Sequence, residues 1–379
     1  MMIKNRNSLT VLFIITVLMV LLMLVTIYRA EDNKDEYGLL FPDLFEQLST
    51  VNQIRFASGE GNFTLQREDE NWYLPGHYNY PANFDEVKRM LIDLSEAEIL
   101  ERKTSDPENY AVLGVEGPNP EVPGGESLRV SLLDDEAPVA GLILGEQRQV
   151  TMAAGPKQFY VRRVGEQQSW LAEGYLQINP VMLNWIDREI INLARERIAR
   201  VEITQPNGNA AVLVNLGEKD KFGTPQSGEK TIFKYPQLGY DIAGSLHQMR
   251  LEDVKPVAEF ERGDADVVTA EFTTFDGLVV TAKTSFIDGF YFTTLSAEFD
   301  PSAIQPAPKG IQELDVIKKP DEVRAEVEKL NQRLSPWVYR VSGFVGTNLM
   351  RAKDDIVTER SNVIPMPPDM TGFGPGPGQ

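Results

Sequence analysis

The chain has two histidines and no cysteine, which restricts the chemistry that its side chains can perform. His77 and His247 lie outside the spacings that metal sites and Ser-His triads require, so a structural role is the favoured interpretation of both. Without cysteine there are no disulfides, thiolate metal ligands or cysteine nucleophiles. Walker A, serine-hydrolase and zinc-protease motifs are absent as well. The sequence therefore predicts a non-enzymatic protein with no catalytic residue, metal or cofactor.

Three acidic clusters contain the carboxylate oxygens that calcium prefers. None of them has the alternating ligands and the glycine of a calcium-binding loop. We interpret all three as solvated turns: Glu68-Asp69-Glu70, Asp134-Asp135-Glu136 and Asp264-Ala265-Asp266.

The most aromatic stretch, residues 71–81, is the candidate binding surface. Trp72, Tyr73, Tyr78 and Tyr80 lie beside proline and glycine, and such rings can form a platform for a glycan or a peptide. In the competing interpretation, favoured for Trp72, that side chain points into the core from a strand and the tyrosines stiffen the following connection. For Tyr78 and Tyr80 the two interpretations are equally supported.

Residues 9–28 are apolar or uncharged, without proline or glycine, and long enough for a helix to cross a bilayer. A secretory signal peptide has a shorter apolar core and a small-x-small cleavage site, where this chain has Tyr28. We therefore predict an uncleaved anchor. Lys4 and Arg6 precede it and a long body follows, which favours an N-terminus inside and a body facing the periplasm from the inner membrane.

The composition is that of a folded, acidic body. Apolar residues make up 42% of the 379 residues, which a packed core requires. The net charge of -19 argues against nucleic acid as a partner, because phosphate binding needs clustered lysine and arginine.

The body contains two copies of one pattern. Residues 54–65 align without a gap with residues 201–212, and each copy reads as a β-hairpin with a Gly-Asn pair at its turn. A helix and several antiparallel strands follow in both copies. This order predicts an α+β fold with an internal duplication, two similar units of antiparallel sheet with packed helices behind a transmembrane helix. The alternative is one larger α+β domain without internal symmetry.

Apolar spacing predicts the helices. The first unit has Asn83 as an N-cap before an apolar face, and in the second unit Ile242, Leu246 and Met249 share the same spacing. Asn179-Pro180 is typical of a helix start and predicts a bridging helix between the units. Proline-rich segments, including residues 303–320, are predicted to be loops or linkers.

These patterns divide the chain into five segments. They are a transmembrane anchor, a first α+β unit, the bridging helix, a second α+β unit with a C-terminal helix over residues 321–334, and a disordered Pro/Gly-rich tail: residues 1–30, 38–178, 179–197, 198–345 and 346–379.

Several short runs spread over the body resemble a known bacterial family. They are Leu40-Phe41-Pro42-Asp43-Leu44, Trp72-Tyr73-Leu74, Lys103-Thr104-Ser105-Asp106-Pro107-Glu108-Asn109-Tyr110-Ala111-Val112-Leu113-Gly114-Val115, Tyr160-Val161-Arg162-Arg163, Ser169-Trp170-Leu171 and Trp185-Ile186-Asp187-Arg188. The family is the one designated domain of unknown function 4340 (DUF4340).

The resemblance implies an N-terminal anchor and, often, a duplicated domain. Genes of this family often accompany an ABC-type transporter similar to the gliding-motility export system. The expected function is therefore that of an envelope accessory protein whose partner is the transporter permease or its auxiliary subunit. The resemblance supplies no catalytic residue. The alternative function is an envelope module that recognises a glycan or peptide through residues 72–80.

Overall fold

Most of the body is described by a computed structural model. The description covers residues 37–118, 127–148, 155–217, 221–225 and 231–359, with the single residues Thr16, Met19, Val20 and Met23. The predicted anchor and the tail beyond residue 359 otherwise lie outside the described residues. Among the described residues, no helix has the length and apolar character needed to cross a bilayer. The chain divides into two units between Asp187 and Arg188.

A nine-stranded antiparallel sheet organises the first unit. Its strands are β1 (Gln53–Ser58), β2 (Gly61–Glu68), β3 (Asn71–Leu74), β4 (Tyr80–Pro81), β5 (Glu98–Arg102), β6 (Leu128–Asp134), β7 (Ala137–Arg148), β8 (Lys157–Arg163) and β9 (Ser169–Gly174). Their spatial order is β4-β3-β2-β1-β6-β7-β8-β9-β5. Apolar residues alternate along β1 and β6, so one face of the sheet is buried.

Helices of the first unit are α1 (Leu44–Gln47), α2 (Phe84–Ser95) and α3 (Tyr110–Leu113). The predicted cap of α2 is confirmed, because the Asn83 side chain accepts a hydrogen bond from the Glu86 amide at 3.2 Å. The predicted apolar face is confirmed too, since Val87, Leu91 and Leu94 are buried. Helix α2 contacts β3 and covers the face of the sheet on which the core lies.

The second unit contains a second nine-stranded antiparallel sheet and a separate two-stranded one. The strands are β10 (Glu189–Ile191), β11 (Ile198–Thr204), β12 (Ala210–Asn215), β13 (Phe222–Gly223), β14 (Thr231–Phe233), β15 (Met249–Pro256), β16 (Val268–Thr274), β17 (Leu278–Ile287), β18 (Phe290–Phe299), β19 (Trp337–Val341) and β20 (Val357–Glu359). The large sheet has the order β10-β15-β19-β18-β17-β16-β11-β12-β13, and β14 pairs with β20.

Eight strands occur in the same spatial order in both large sheets. In the first unit the order is β3-β2-β1-β6-β7-β8-β9-β5, and in the second it is β13-β12-β11-β16-β17-β18-β19-β15. In each unit the first strand of the hairpin pairs with a strand that follows the helix. The α+β class with large antiparallel sheets, predicted from the sequence, is therefore confirmed.

Helices of the second unit are α4 (Leu238–Ala243), α5 (Lys309–Gln312), α6 (Pro320–Leu334), α7 (Gly343–Leu349) and α8 (Lys353–Ile356). Helix α6 confirms the late helix predicted over residues 321–334 and buries Val323 and Leu334. The Asn331 amide group both donates to and accepts from the backbone of Ala297 on β18. Helix α6 thereby satisfies backbone groups of β18 beyond the residues that pair with β19.

The predicted bridging helix over residues 179–197 is wrong. The chain there forms two short 3-10 turns, Met182–Asn184 and Arg195–Arg197, and strand β10. The backbone of Trp185 accepts from Asn83, and the amide of Asp187 donates to Pro81. These backbone groups pair with residues 81–83 as in a sheet, and Trp185 is buried. Tertiary contacts therefore outweigh the local sequence pattern that predicted a helix.

The second predicted helix is shorter than its apolar pattern suggests. Helix α4 changes at Gly244 into a 3-10 turn, and Met249 belongs to β15 instead. The Arg195 guanidinium lies so close to Gly244 that a Cβ there would fall 2.2 Å from it. The same guanidinium stacks 3.6 Å from the Tyr240 ring centroid. Packing of Arg195 therefore ends the regular helix.

Two segments predicted to be irregular contain regular structure. The stretch 303–320 includes α5, and its Ala307 and Ile311 are buried together with Phe275. Residues 346–359, expected to belong to a disordered tail, contribute to α7 and form α8 and β20, with Leu349 and Ile356 buried. Both expectations were based on proline and glycine content, and apolar burial overrides it here.

A buried cluster of charges joins four segments of the second unit. Arg197, before β11, donates to Asp276 in the β16–β17 turn at 2.8 Å and to both Glu326 carboxylate oxygens on α6 at 2.8 and 2.9 Å. The side chains of Arg197 and Asp276 are each 3% exposed. Asp276 also accepts from the Thr274 hydroxyl at 2.5 Å and from the Lys318 amide at 2.8 Å. The cluster therefore holds α6 and the preceding segment to the sheet.

Hydrogen bonding sets the protonation states of this cluster. Burial alone raises the pKa of Asp276, but hydrogen bonds from Arg197, Thr274 and Lys318 outweigh it and hold the pKa below its ordinary value. The pKa of Glu326 is lowered in the same way, against burial, by Arg197 and Lys318. The two carboxylates in turn raise the pKa of Arg197 against the effect of burial. All three groups are charged at neutral pH.

We predict that Asp276→Asn destabilises the second unit by about 3 kcal/mol, because it leaves a buried guanidinium with only one counter-charge. Urea unfolding followed by circular dichroism measures the change. The control is Asp264→Asn in an exposed loop, which should shift the unfolding free energy by less than about 0.5 kcal/mol. Equal effects of the two substitutions would contradict a structural role for the cluster.

The cluster also predicts acid lability. A carboxylate whose pKa is lowered by folding stabilises the protein above its unfolded pKa, about 4.3 for glutamate, and this contribution disappears as the pH falls through the folded pKa. Glu326→Gln should therefore make the unfolding free energy depend less steeply on pH below about pH 5. Glu328→Gln, an exposed position on the same helix, should leave the steepness unchanged. Parallel pH profiles for Glu326→Gln and the unmodified protein would refute this assignment.

Candidate functional site

The aromatic stretch does not present its four rings on one surface. Trp72 is 5% exposed and Tyr80 is 3% exposed, so both are core residues. Tyr73 is half-buried and lies on the other face of β3 from Trp72. Tyr78 is 38% exposed and has a left-handed backbone conformation at the end of a 3-10 turn. Two of the four proposed contact residues are therefore accessible.

The histidines and the acidic clusters have the positions that the structural interpretation predicts. His77 is half-buried at the end of the Pro75–His77 turn, with its ring centroid 5.3 Å from that of Tyr78. His247 is exposed after the Gly244–Leu246 turn. The carboxylates of all three acidic clusters are exposed, at strand ends, in turns or in a loop. Among the described residues, no group of three or more potential ligands is arranged to hold a metal.

The structure places a different candidate site on the first sheet, on the face opposite α2. Strand pairing sets Thr64 on β2, Arg55 on β1, Ser131 on β6 and Gly141 on β7 side by side in one row. Val164 extends this row, since its amide donates to the Gly141 carbonyl at 2.8 Å. A Cβ on Gly141 would lie 3.0 Å from the Val164 side chain. Small side chains thus form the floor, and Arg55 rises from it.

A second row runs parallel to the first. It consists of Asn62 on β2, Ala57 on β1, Arg129 on β6, Ile143 on β7 and Arg162 on β8. Ile143 is buried, whereas Arg129 and Asn62 are exposed. The two rows therefore offer a cation on each of two neighbouring strands above a floor of small residues.

These rows line an open groove. One depression of about 1030 Å³ extends from Leu40, Phe41 and Pro42 across the floor, and a second of about 580 Å³ continues it toward Glu116 and Pro118. The larger one exceeds the usual size of a small-molecule pocket, about 300–1000 Å³. Four residues line both depressions: Ala57, Asn62, Arg129 and Val164.

The arginines around the groove differ in what they bind. Arg55 donates to Glu136 at 2.7 Å, but the side chains are 44% and 79% exposed, so this ion pair is solvated. Arg163 lies 3.4 Å from Glu166 and also donates to a backbone carbonyl. The Arg129 side chain makes no hydrogen bond or ion pair with any described residue. Arg129 is therefore available to an external ligand.

The longest of the family-like runs, residues 103–115, leads into the segment 116–118 that lines the groove. Asp106 caps a 3-10 turn by accepting from the Glu108 amide at 3.1 Å, and Tyr110 donates to the Gln167 carbonyl at 2.5 Å. Arg162 stacks 4.4 Å from the Tyr110 ring centroid and donates to the carbonyls at residues 115 and 116. These contacts fix the start of the 116–118 segment that borders the groove.

The second unit has the opposite charge at the position that corresponds to Arg55. Glu202 on β11 occupies the position that Arg55 has on β1, and its cross-strand neighbour on β16 is Glu271, where the first unit has Ser131. Burial and then the neighbouring charges of Glu202 and Glu298 raise the pKa of Glu271. The arginine-lined groove is therefore a property of the first unit.

Comparison with protein families identifies the chain. A family model described as a domain of unknown function (DUF4340) matches residues 72–265, slightly more than half of the chain. The chain belongs to the DUF4340 family. The match begins in β3, includes the groove-lining residues 116–118, and ends before β16. Comparison with curated proteins finds no match.

Sequence patterns alone did not identify Arg55 and Arg129. Alternation along β1 and β6 indicates that both side chains leave the core, which is the only signal available. Their proximity depends on the pairing of β1 with β6, strands that are far apart in the chain. The family-like run at residues 103–115 precedes the groove-lining residues 116–118, but it gave no indication of the groove itself.

For the aromatic stretch we predict opposite results at two tyrosines. Tyr80→Ala should destabilise the first unit by about 3 kcal/mol, since it removes a buried ring. Tyr78→Ala should change the unfolding free energy by about 0.5 kcal/mol or less. Chemical unfolding of both variants tests this. A strongly destabilised Tyr78→Ala variant, or a neutral Tyr80→Ala variant, would contradict the assignment of these rings.

Proposed function

We propose that the chain is a membrane-anchored, non-enzymatic accessory protein of the cell envelope. Its body faces the periplasm and docks onto another protein of the same membrane. The apolar residues 9–28 support the anchor, and Lys4 and Arg6 ahead of them support an N-terminus in the cytoplasm. Confinement to one membrane raises the effective concentration of a partner, so contacts of modest affinity suffice.

The groove on the first sheet is the observation that carries this proposal. Its described lining includes four arginines, small residues, hydroxyl groups and an apolar rim, together with the carboxylates of Glu116, Glu136 and Glu166. Such side chains recognise a partner through charge, hydrogen bonds and shape. No histidine lies among the described residues lining the groove, so Ser131 has no imidazole base beside it. These features favour binding over catalysis.

We infer that the two units arose by internal duplication. The support is the equal spatial order of eight strands in the two large sheets, together with the ungapped alignment of residues 54–65 with 201–212. The units then diverged: the second has α5 and α6 between β18 and β19, where the first has a short turn between β8 and β9. The charge at the Arg55 position also reversed, to Glu202.

An ABC-type transporter is the partner we propose, through its permease or its auxiliary subunit. This part depends on the family, whose genes often accompany such transporters. The acidic body, with a net charge of -19 for the chain, is suited to a protein partner and not to an anionic lipid surface.

We predict that the full chain stays in the membrane fraction after an alkaline wash, because about twenty apolar residues anchor it. Protease added outside spheroplasts should digest the body. Replacing Leu18 and Leu22 with arginine should release the protein from the membrane fraction, whereas replacing them with valine should not. A chain that is trimmed after Ala30 and found free in the periplasm would contradict the anchor, and protection from protease would contradict the orientation.

The same membrane preparation tests the partner. Purification of the tagged chain in mild detergent should recover a permease or auxiliary subunit in a fixed proportion. The arginine variant that leaves the membrane should lose this partner, and the valine variant should keep it. Recovery of the chain alone from the valine variant and the unmodified protein would remove support for a transporter accessory.

A further inference from the structure

We propose that the groove of the first unit binds an extended polypeptide segment of the partner, with two carboxylate side chains two residues apart, one for Arg129 and one for Arg55. This inference rests on the proposed function and names the chemistry of the docking segment. The binding surface is the face of the sheet, where side chains project, and not an edge strand with unpaired backbone groups. Recognition therefore depends on side chains.

The spacing of the two arginines sets the spacing of the carboxylates. Arg55 faces Ser131 across the β1–β6 pair, and Arg129 faces Ala57, so the two arginines are diagonal neighbours on adjacent strands. Diagonal neighbours of a sheet lie about 7–8 Å apart, and their Cβ atoms are somewhat closer. Residues i and i+2 of an extended chain are about 6.6 Å apart and point to the same side. An acidic-x-acidic segment therefore matches the pair.

The available donors favour carboxylates. The Arg129 guanidinium has no hydrogen-bond or ion-pair partner among the described residues, and a guanidinium binds a carboxylate through two parallel hydrogen bonds. The Arg55–Glu136 pair is solvated, so a ligand carboxylate can replace Glu136 at small cost. Both cations are thus accessible to the same segment.

The floor and walls favour a peptide over a compact anion. Ala57, Ser131 and Gly141 have small side chains or none, which leaves room for a main chain between the arginines. The Ser131 hydroxyl can donate to or accept from that main chain. Phe41 and Val164 add apolar walls that a free phosphate or a lipid headgroup would leave uncovered.

Fluorescence anisotropy with the full chain in nanodiscs of zwitterionic lipid tests the proposal. The probe is a labelled peptide, Gly-Leu-Glu-Ala-Glu-Leu-Gly, compared with its Gln-Ala-Gln counterpart. We expect the glutamate peptide to bind at least tenfold more tightly, and raised salt to weaken it. Arg129→Gln should lower its affinity at least tenfold, whereas Arg89→Gln on α2, behind the sheet, should have no effect.

Several outcomes would overturn the inference. They are equal binding of the two peptides, no binding of either, and unchanged binding by Arg129→Gln. In a further outcome, vesicles containing phosphatidylglycerol displace the peptide from the unmodified chain and do not bind the Arg129→Gln variant. That result would assign the groove to lipid instead. If Arg129→Gln still co-purifies with the transporter subunit, the accessory function stands and the groove is not its docking site. If the unmodified chain binds the peptide but recovers no subunit, the groove assignment stands and the transporter partner does not.

Discussion

The pairing of β1 with β6 is the constraint on which the first unit depends. It brings a strand of the first hairpin next to a strand that follows α2 and the 103–118 segment, and it fixes Arg55 opposite Ser131. A slip of one residue would exchange the two faces, exposing Ile54 and Phe56 and burying Arg55. Burial of the apolar set thus enforces the register, and that register creates the groove. The packing of the core and the position of the candidate site therefore both follow from the register of β1 against β6.

In the second unit the equivalent pairing, β11 with β16, is joined to α6 by the buried charges. Arg197 precedes β11, and Asp276 follows β16, so their ion pair closes the end of the strand pair. Burying three charges costs solvation free energy that their mutual attraction only partly offsets. We therefore infer that the cluster fixes the position of α6 on the sheet more than it adds stability. A helix placed differently would leave Glu326 or Arg197 without its partner.

Sequence patterns predicted the helices and strands whose formation is determined by neighbouring residues in the chain. Asn83 and the apolar face behind it specify α2, and alternation specifies β6 and β16. They failed where distant contacts decide the conformation, as at Trp185, whose ring centroid lies 4.8 Å from that of Phe56 within the first unit. They also failed at Ile311, because the proline-rich sequence around it predicted a loop and this residue is buried. The groove belongs to this second group, since Arg55 and Arg129 meet only through tertiary pairing.

An exposed arginine groove on an acidic chain has a consequence for recognition. The net charge of -19 repels acidic partners at long range, while the groove attracts carboxylates at short range. At physiological salt the Debye length is about 8 Å, so the general repulsion is screened over most of the approach but the contact within the groove is not. Selectivity then depends on how well a segment matches the two cations. Under the proposed function, confinement of both proteins to one membrane would make this weak but selective contact sufficient.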